Sequence, residues 1–235
     1  MNQFFKLCIA AETIANDAEQ LSVTVEDLQC ICINASAQII RQPALYLQLT
    51  YQVTLPSQVL ADQLNWPMWQ QAQVRFDDYL WEETCLECFI AGRLINDHKT
   101  APYIEINTNP DGRYALYQFE SYRNPATLPP IPLHTAEGQR ASIAWTDNIK
   151  PAPSYVENPL TNDSSVANKP HYYERSFGVP MTQLPSQQYV IANTVIERIH
   201  PCVILWFGEI ALYFASSHSS PPDFHNRNHW LRFEL

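Results

Sequence analysis

Apolar and polar residues alternate most cleanly over Leu45-Tyr-Leu-Gln-Leu-Thr-Tyr-Gln-Val-Thr54. Every second side chain there can enter a core while its neighbours face outward, which predicts a half-buried strand. Three further strands are expected over Tyr79–Ile90, Tyr103–Asn107 and Arg113–Glu120, the last two joined by a tight turn at Asn109-Pro-Asp-Gly112. Shorter patterns predict strands over Leu21–Val25, Cys30–Ile33, Arg140–Trp145 and Gln188–Glu197. Two more, Cys202–Phe207 and Glu209–Phe214, meet at Gly208, and a last one covers Leu231–Leu235. Ser57–Gln73 reads as a short helix or an irregular loop, and the tail from Ser219 to Trp230 as a loop. Many short strands and few helices point to an all-β chain, an antiparallel β-sandwich of the jelly-roll or immunoglobulin-like kind. Lys150 to Pro185 is rich in Pro, Asn, Ser and Tyr and has no period. It reads as one long irregular insertion in a single domain spanning 1–235.

Alternation also assigns faces. Leu86, Cys88 and Ile90 share one side of the first central strand, with Cys85, Glu87 and Phe89 on the other. Ile104 and Ile106 oppose Tyr103, Glu105 and Asn107. In the third strand Ala115, Tyr117 and Phe119 are expected to face the core with the aliphatic sets. Gln118 and Glu120 then join Glu87, Glu105 and Asn107 on the opposite face, beside Tyr103 and Tyr114. Glu is depleted in strands, and two on neighbouring strands repel unless something lies between them. Carboxylates, amides and rings on one sheet face suit sugar recognition, because hydroxyls pair with the former and C–H faces pack on the latter.

Composition narrows the partners. The 235 residues carry a net charge of −10, and the 14 Lys and Arg are scattered singly. Nucleic acid and anionic membrane need clustered basic residues and are not expected. Lys6 and Glu12 interrupt the apolar N-terminus, so no signal peptide is read there, and no run approaches a membrane span. The expectation is a soluble, cytoplasmic protein whose 6 Cys are reduced. On a strand Cys85 and Cys88 point to opposite faces and cannot share a zinc ion unless a bulge intervenes. No nucleophile elbow is present. Glu87 and Glu105 match a glycosidase in number, but neighbouring strands hold them too close for inversion.

The same residues carry a resemblance. Leu80-Trp81, Thr84-Cys85-Leu86-Glu87-Cys88-Phe89, the run from Tyr103 through Pro110-Asp-Gly112 to Tyr122-Arg123, and His218 with Pro222-Asp223-Phe224-His225 resemble the bacterial DOMON-like proteins. These are similar in turn to the family 9 carbohydrate-binding modules. The resemblance runs from about Leu45 to the C-terminus. It implies a sandwich of two antiparallel sheets with a ligand on a sheet face or between loops. In the carbohydrate-binding relatives, rings sandwich a sugar while a strand Glu, an Asn and basic residues bond its hydroxyls. By position the resemblance implies Trp81, Glu87, Glu105 and Asn107, with Arg123 as the basic residue; it does not place the second ring, for which Trp206 and Trp230 are considered. His218, Asp223, His225 and His229 form the densest polar cluster. It reads first as a loop whose Asp caps backbone N–H groups and whose His bonds a neighbouring strand; the alternative makes Asp223 and His225 metal ligands or a catalytic pair near Glu87, and His218, Asp223 and His225 are carried as candidate ligand-binding residues. The favoured reading is a non-catalytic module for a small carbohydrate-like ligand that needs no cofactor. The alternatives are a protein-interaction domain using 150–185 and a haem-binding domain using Met68 or Met181 with a His. Calcium is a lesser option at Asp77, Asp78 or Asp111.

Overall fold

The computed structural model describes residues 2–92, 102–146, 171–184 and 196–234. The chain is predominantly β, and the eleven strands among the described residues form one antiparallel sheet that curls over on itself. The elements run β1 (Asn2–Ile9), α1 (Ile14–Leu21), α2 (Val25–Gln29), β2 (Cys32–Ile40), β3 (Tyr46–Leu55), α3 (Gln58–Gln63), β4 (Cys85–Gly92), β5 (Tyr103–Thr108) and β6 (Tyr114–Phe119). They continue with β7 (Ala144–Trp145), β8 (His171–Pro180), β9 (Ile196–Phe207), β10 (Ile210–Ala215) and β11 (Leu231–Arg232). The strand order is β6-β5-β4-β9-β10-β1-β2-β3-β8-β7, with β11 added to β9.

The alternation of β3 is realised in full: Leu47, Leu49, Tyr51, Val53 and Leu55 are buried, and the residues between them are half-exposed. The curl lays these side chains against Leu86, Cys88 and Ile90 of β4 and Ile104 and Ile106 of β5, in one main core. The Tyr51 hydroxyl donates to the Glu87 carbonyl at 2.5 Å, tying β3 to β4 across that core. Each fully buried aliphatic or aromatic side chain stabilises this arrangement by about 1.5–3 kcal/mol relative to exposure.

Several expectations are corrected. Residues 171–180, inside the predicted irregular insertion, are β8, which pairs with β3 over ten residues from Tyr46↔Pro180 to Leu55↔His171. Only its second half carries an apolar alternation, with Phe177 and Val179 in the core, so the Pro- and Asn-rich surroundings mask it. Residues 150–170 of that insertion lie outside the described residues. Leu21–Val25 is not a strand. Leu21 ends α1, Ser22 takes a left-handed conformation at φ 56°, and Thr24 starts α2 through a reciprocal capping box with Asp27. The strand expected at Arg140–Trp145 shortens to Ala144–Trp145, and that at Cys30–Ile33 begins at Cys32 and runs to Ile40. Of Gln188–Glu197, residues 188–195 lie outside the described residues, and Ile196 opens β9. Ser57–Gln73 contains both α3 and irregular chain ending in a turn of 3-10 helix at Gln71–Gln73. β1, which pairs with both β2 and β10, has no counterpart in the sequence reading.

The β5–β6 turn forms as expected. Gly112 N–H donates to the Asn109 carbonyl at 3.1 Å, and Gly112 sits at φ 122°, where an added Cβ would also meet Val74 at 3.2 Å. This turn sets a register in which Glu105 faces Tyr117 and Tyr103 faces Phe119. The predicted faces of β6 are therefore inverted: Leu116 joins the main core, while Ala115, Tyr117 and Phe119 share the side of Glu87 and Glu105.

Candidate functional site

All eight residues of β4 are buried. One of its faces belongs to the main core, so something else must cover the other. A second cluster does this, formed by Cys85 and Phe89 of β4, Tyr103 of β5, Tyr117 and Phe119 of β6, and Cys202 and Ile204 of β9. Leu80 covers it from one side, and Phe224 and Trp230 of the C-terminal loop from another. Tyr103 and Phe119 stack at 4.7 Å, and the His225 ring meets Phe89 edge-on at 4.9 Å. Such ring pairs add about 0.5–1.5 kcal/mol each beyond the area they bury. Trp230 is pinned by its indole N–H, which donates to the Phe224 carbonyl at 2.9 Å.

The cover is incomplete. It leaves a cavity of about 410 Å³ over the strand face. Glu87 and Glu105 form its polar floor; Trp81, Phe89, Phe119, Tyr213 and Phe224 give it rings. The segment Pro125–Pro130 and Arg123 close one side, and Asp223 and His225 another. The volume falls within the ~300–1,000 Å³ of small-molecule sites.

The carboxyls are the unusual feature of this floor. Glu87 is 3% exposed and Glu105 5%. Asn107, opposite Glu87 on β5, donates its amide N–H to Glu105 Oε1 at 2.7 Å. Glu87 Oε1 and Glu105 Oε2 have no hydrogen-bond partner. Burial is the main cause that lifts both acids above the ordinary carboxylate range, Glu87 well above it with Glu105 adding to the effect, and Glu105 to about 7. The Asn107 hydrogen bond and the Arg123 charge pull Glu105 back towards its usual value.

A hydrogen-bond chain fixes the neighbouring imidazole. The Arg123 backbone N–H donates to the Tyr103 hydroxyl at 3.1 Å, and that hydroxyl lies 2.6 Å from His225 Nδ1. Burial raises the Tyr103 phenol, so it keeps its proton and donates it to Nδ1. Burial, reinforced by the Arg123 charge, holds His225 down to about 3, so the ring is neutral and its proton sits on Nε2. His225 Nε2 is 3.7 Å from Glu105 Oε2, too far for a hydrogen bond and, with a neutral ring, not an ion pair. Asp223 anchors the loop: it accepts from Arg123 at 2.8 Å, from the Tyr122 hydroxyl at 2.6 Å and from the His225 backbone N–H at 3.0 Å.

Six of the residues singled out in the sequence therefore line one cavity: Trp81, Glu87, Glu105, Arg123, Asp223 and His225. Asn107 lies fully buried beside it and orients Glu105. His218 lies outside the lining: its Nε2 pairs with the Cys8 carbonyl at 2.8 Å, and its ring packs behind Phe224. Of the two rings considered as a partner for Trp81, Trp230 is buried in the covering cluster, and Trp206 packs beside Trp81 with its indole N–H on the Trp81 carbonyl at 3.4 Å. Cys85 and Cys88 lie in the two different clusters, on opposite faces of β4. Asp77 and Asp111 pair with Arg113, and Asp78 accepts from Tyr117. Met181 belongs to the main core and Met68 is exposed. The sequence reading missed Phe89, Phe119, Tyr213 and Phe224 as lining. Phe119 was within reach through the β5–β6 register, whereas Tyr213 and Phe224 arrive only through the tertiary fold.

Among the described residues no helix is long and apolar enough to cross a membrane. No family model matches the chain, and no curated protein matches its sequence. A solved structure of a proposed carbohydrate-binding protein from Bacteroides uniformis is similar at a TM-score of 0.48 and 11% identity, over 99% of this chain and 86% of that one.

Proposed function

We propose that this chain is a non-catalytic binding module for a carbohydrate or other small polyhydroxylated ligand, built as a single DOMON-like β-sandwich domain. The observation that carries the reading is the pair of buried carboxyls at the floor of a ring-lined cavity, each with one oxygen lacking a partner. Leaving a buried polar atom unpaired costs about 1–3 kcal/mol, so the floor is built for something that arrives. Ligand hydroxyls can both donate to and accept from these oxygens, and His225 Nε2–H adds a donor beside them. Trp81 and Phe119 offer faces for sugar C–H groups. Both carboxyls stand on one sheet face rather than across a cleft, which favours binding over hydrolysis.

The test is a thermal-shift panel of mono- and disaccharides on the wild type, Trp81→Ala and Glu105→Gln. A ligand at ~100 times its Kd adds about 2.7 kcal/mol, a shift of a few degrees. The shift is expected in the wild type, lost in Trp81→Ala and reduced in Glu105→Gln. A wild type that responds to no sugar, or variants that respond in full, would overturn the reading. A second reading, a protein partner, is favoured by Leu128 at the cavity wall, 77% exposed, and by Ile131 beside it at 49%. It predicts a partner whose capture Leu128→Ser abolishes.

A further inference from the structure

Resting on that reading of the site, we propose that its ligand carries a protonated amine, as an amino sugar does, and that the ammonium group sits on the floor between Glu87 and Glu105. Three observations carry this. First, both side chains are more than nine-tenths buried, both line the cavity, and each keeps one buried oxygen without a partner. A neutral hydroxyl can satisfy those oxygens but does not stabilise their ionised form, which burial opposes. A cation does both, and three N–H donors serve two acceptors with one to spare.

Second, the basic side chains already at the cavity do not neutralise the floor. Among the described lining residues these are Arg123 and His225. The Arg123 guanidinium is held at 2.8 Å by Asp223 and lies 5.9 Å from the centre of the Tyr122 ring. His225 uses Nδ1 for Tyr103 and stays 3.7 Å from Glu105. Third, five rings stand in the remaining lining, Trp81, Phe89, Phe119, Tyr213 and Phe224, beside proline and aliphatic side chains. Rings around a carboxylate floor are a chemical environment for an organic cation, whose charge the ring faces also attract.

The charge balance follows. Cys85 and Cys202 on β4 and β9, Tyr51 on β3, Tyr103 on β5, Tyr117 on β6, Tyr213 on β10, and His225, Asp223 and Arg123 from the loops are titratable groups around the pair. Burial keeps the two cysteines and the four tyrosines protonated and His225 neutral, and Arg123 is paired with Asp223. A bound ammonium therefore draws a proton off the carboxyl pair itself, and that proton leaves to solvent.

Titration calorimetry of the wild type with glucosamine, galactosamine and mannosamine, each beside its parent hexose and its N-acetyl derivative, tests this. It is run at about pH 6, where the amines are charged, in two buffers of different ionisation enthalpy. The expected result is at least a tenfold preference for one hexosamine over its hexose and its N-acetyl form, with proton release for the amine alone. Glu87→Gln and Glu105→Gln should each weaken hexosamine binding by at least tenfold more than parent-hexose binding, and abolish the proton release; the wild-type comparison stands even where a variant fails to fold. Equal affinity for hexose and hexosamine, or no proton release, would overturn the amine while leaving the polyhydroxylated-ligand reading intact. Binding of none of the probes would overturn both.

Discussion

On one face of β4 and β5, Leu86, Cys88, Ile90, Ile104 and Ile106 pack against β3 in a core made almost wholly of hydrocarbon. On the other face of the same two strands, Glu87, Phe89, Tyr103, Glu105 and Asn107 are buried just as deeply, yet two carboxyl oxygens and the Asn107 carbonyl oxygen lack partners. Equal burial thus hides opposite chemistry. The first face is closed and serves stability. The second is roofed by loops that leave a cavity, and it keeps polar groups whose desolvation only a ligand could offset. A sheet covered on both sides can devote one side to folding and the other to recognition.

The largest effect should come from damaging the closed face. Ile106→Ala is expected to cost about 2–5 kcal/mol in urea unfolding. A loss well under 1 kcal/mol would mean that the main core is not where the stability resides.

Next comes the pH dependence of the open face. The two glutamates have folded values raised above their unfolded ones, so their stabilising contribution is complete below about pH 4.3 and is lost as pH rises through about 7 for Glu105 and higher for Glu87. His225 and His200 are both lowered by burial to about 3, so they contribute above about pH 6.5 and lose that contribution as pH falls towards 3. The stability of the wild type relative to Glu87→Gln/Glu105→Gln should therefore fall between pH 5 and pH 8, by an amount on the order of a few kcal/mol. Parallel curves would show that the two acids titrate normally. Conversely, His200→Phe should lessen the acid loss. The His200 ring stacks on Trp230 with an unpartnered Nδ1, and a phenyl ring can fill that place.

A smaller effect is expected at the junction of cover and sheet. Tyr103→Phe removes the hydroxyl that joins Arg123 N–H to His225 Nδ1, and should cost about 1–3 kcal/mol. It should also release the His225 tautomer, visible in imidazole nitrogen chemical shifts. The smallest stability change should follow Arg123→Ala. Its ion pair with Asp223 is half-exposed on the arginine side, so at most about 1 kcal/mol is at stake. Ligand affinity should fall by more than stability, since the Asp223 loop that carries His225 loses its tether.

The contrast between faces also explains what could be read from the chain. β3 was legible because one of its faces is dry and the other wet, so alternation carries the answer. The pairing of Glu87 with Glu105 on one face was legible because aliphatic residues separate them in each strand. β6 misled for a physical reason: with both faces buried, Leu116 and Tyr117 are each apolar enough for either side, and only the Asn109–Gly112 turn fixes which goes where. β8 was hidden because its polar half faces outward beside Pro-rich chain, where composition mimics a loop. Leu21–Val25 alternates only across the cap between two helices. Among site residues, the strand positions were readable from period, and the Asp223–His225 loop from its resemblance. The rings of Tyr213 and Phe224 needed the fold itself.

The most direct measurement is a titration of isotopically labelled protein with the mono- and disaccharide panel, following backbone amide and indole signals. Saturable shifts are expected, confined to Trp81, β4 and β5 around Glu87 and Glu105, the stretch from Arg123 to Pro130, and Asp223 to His225. Saturable shifts centred elsewhere, or none for any sugar, would contradict a binding site there.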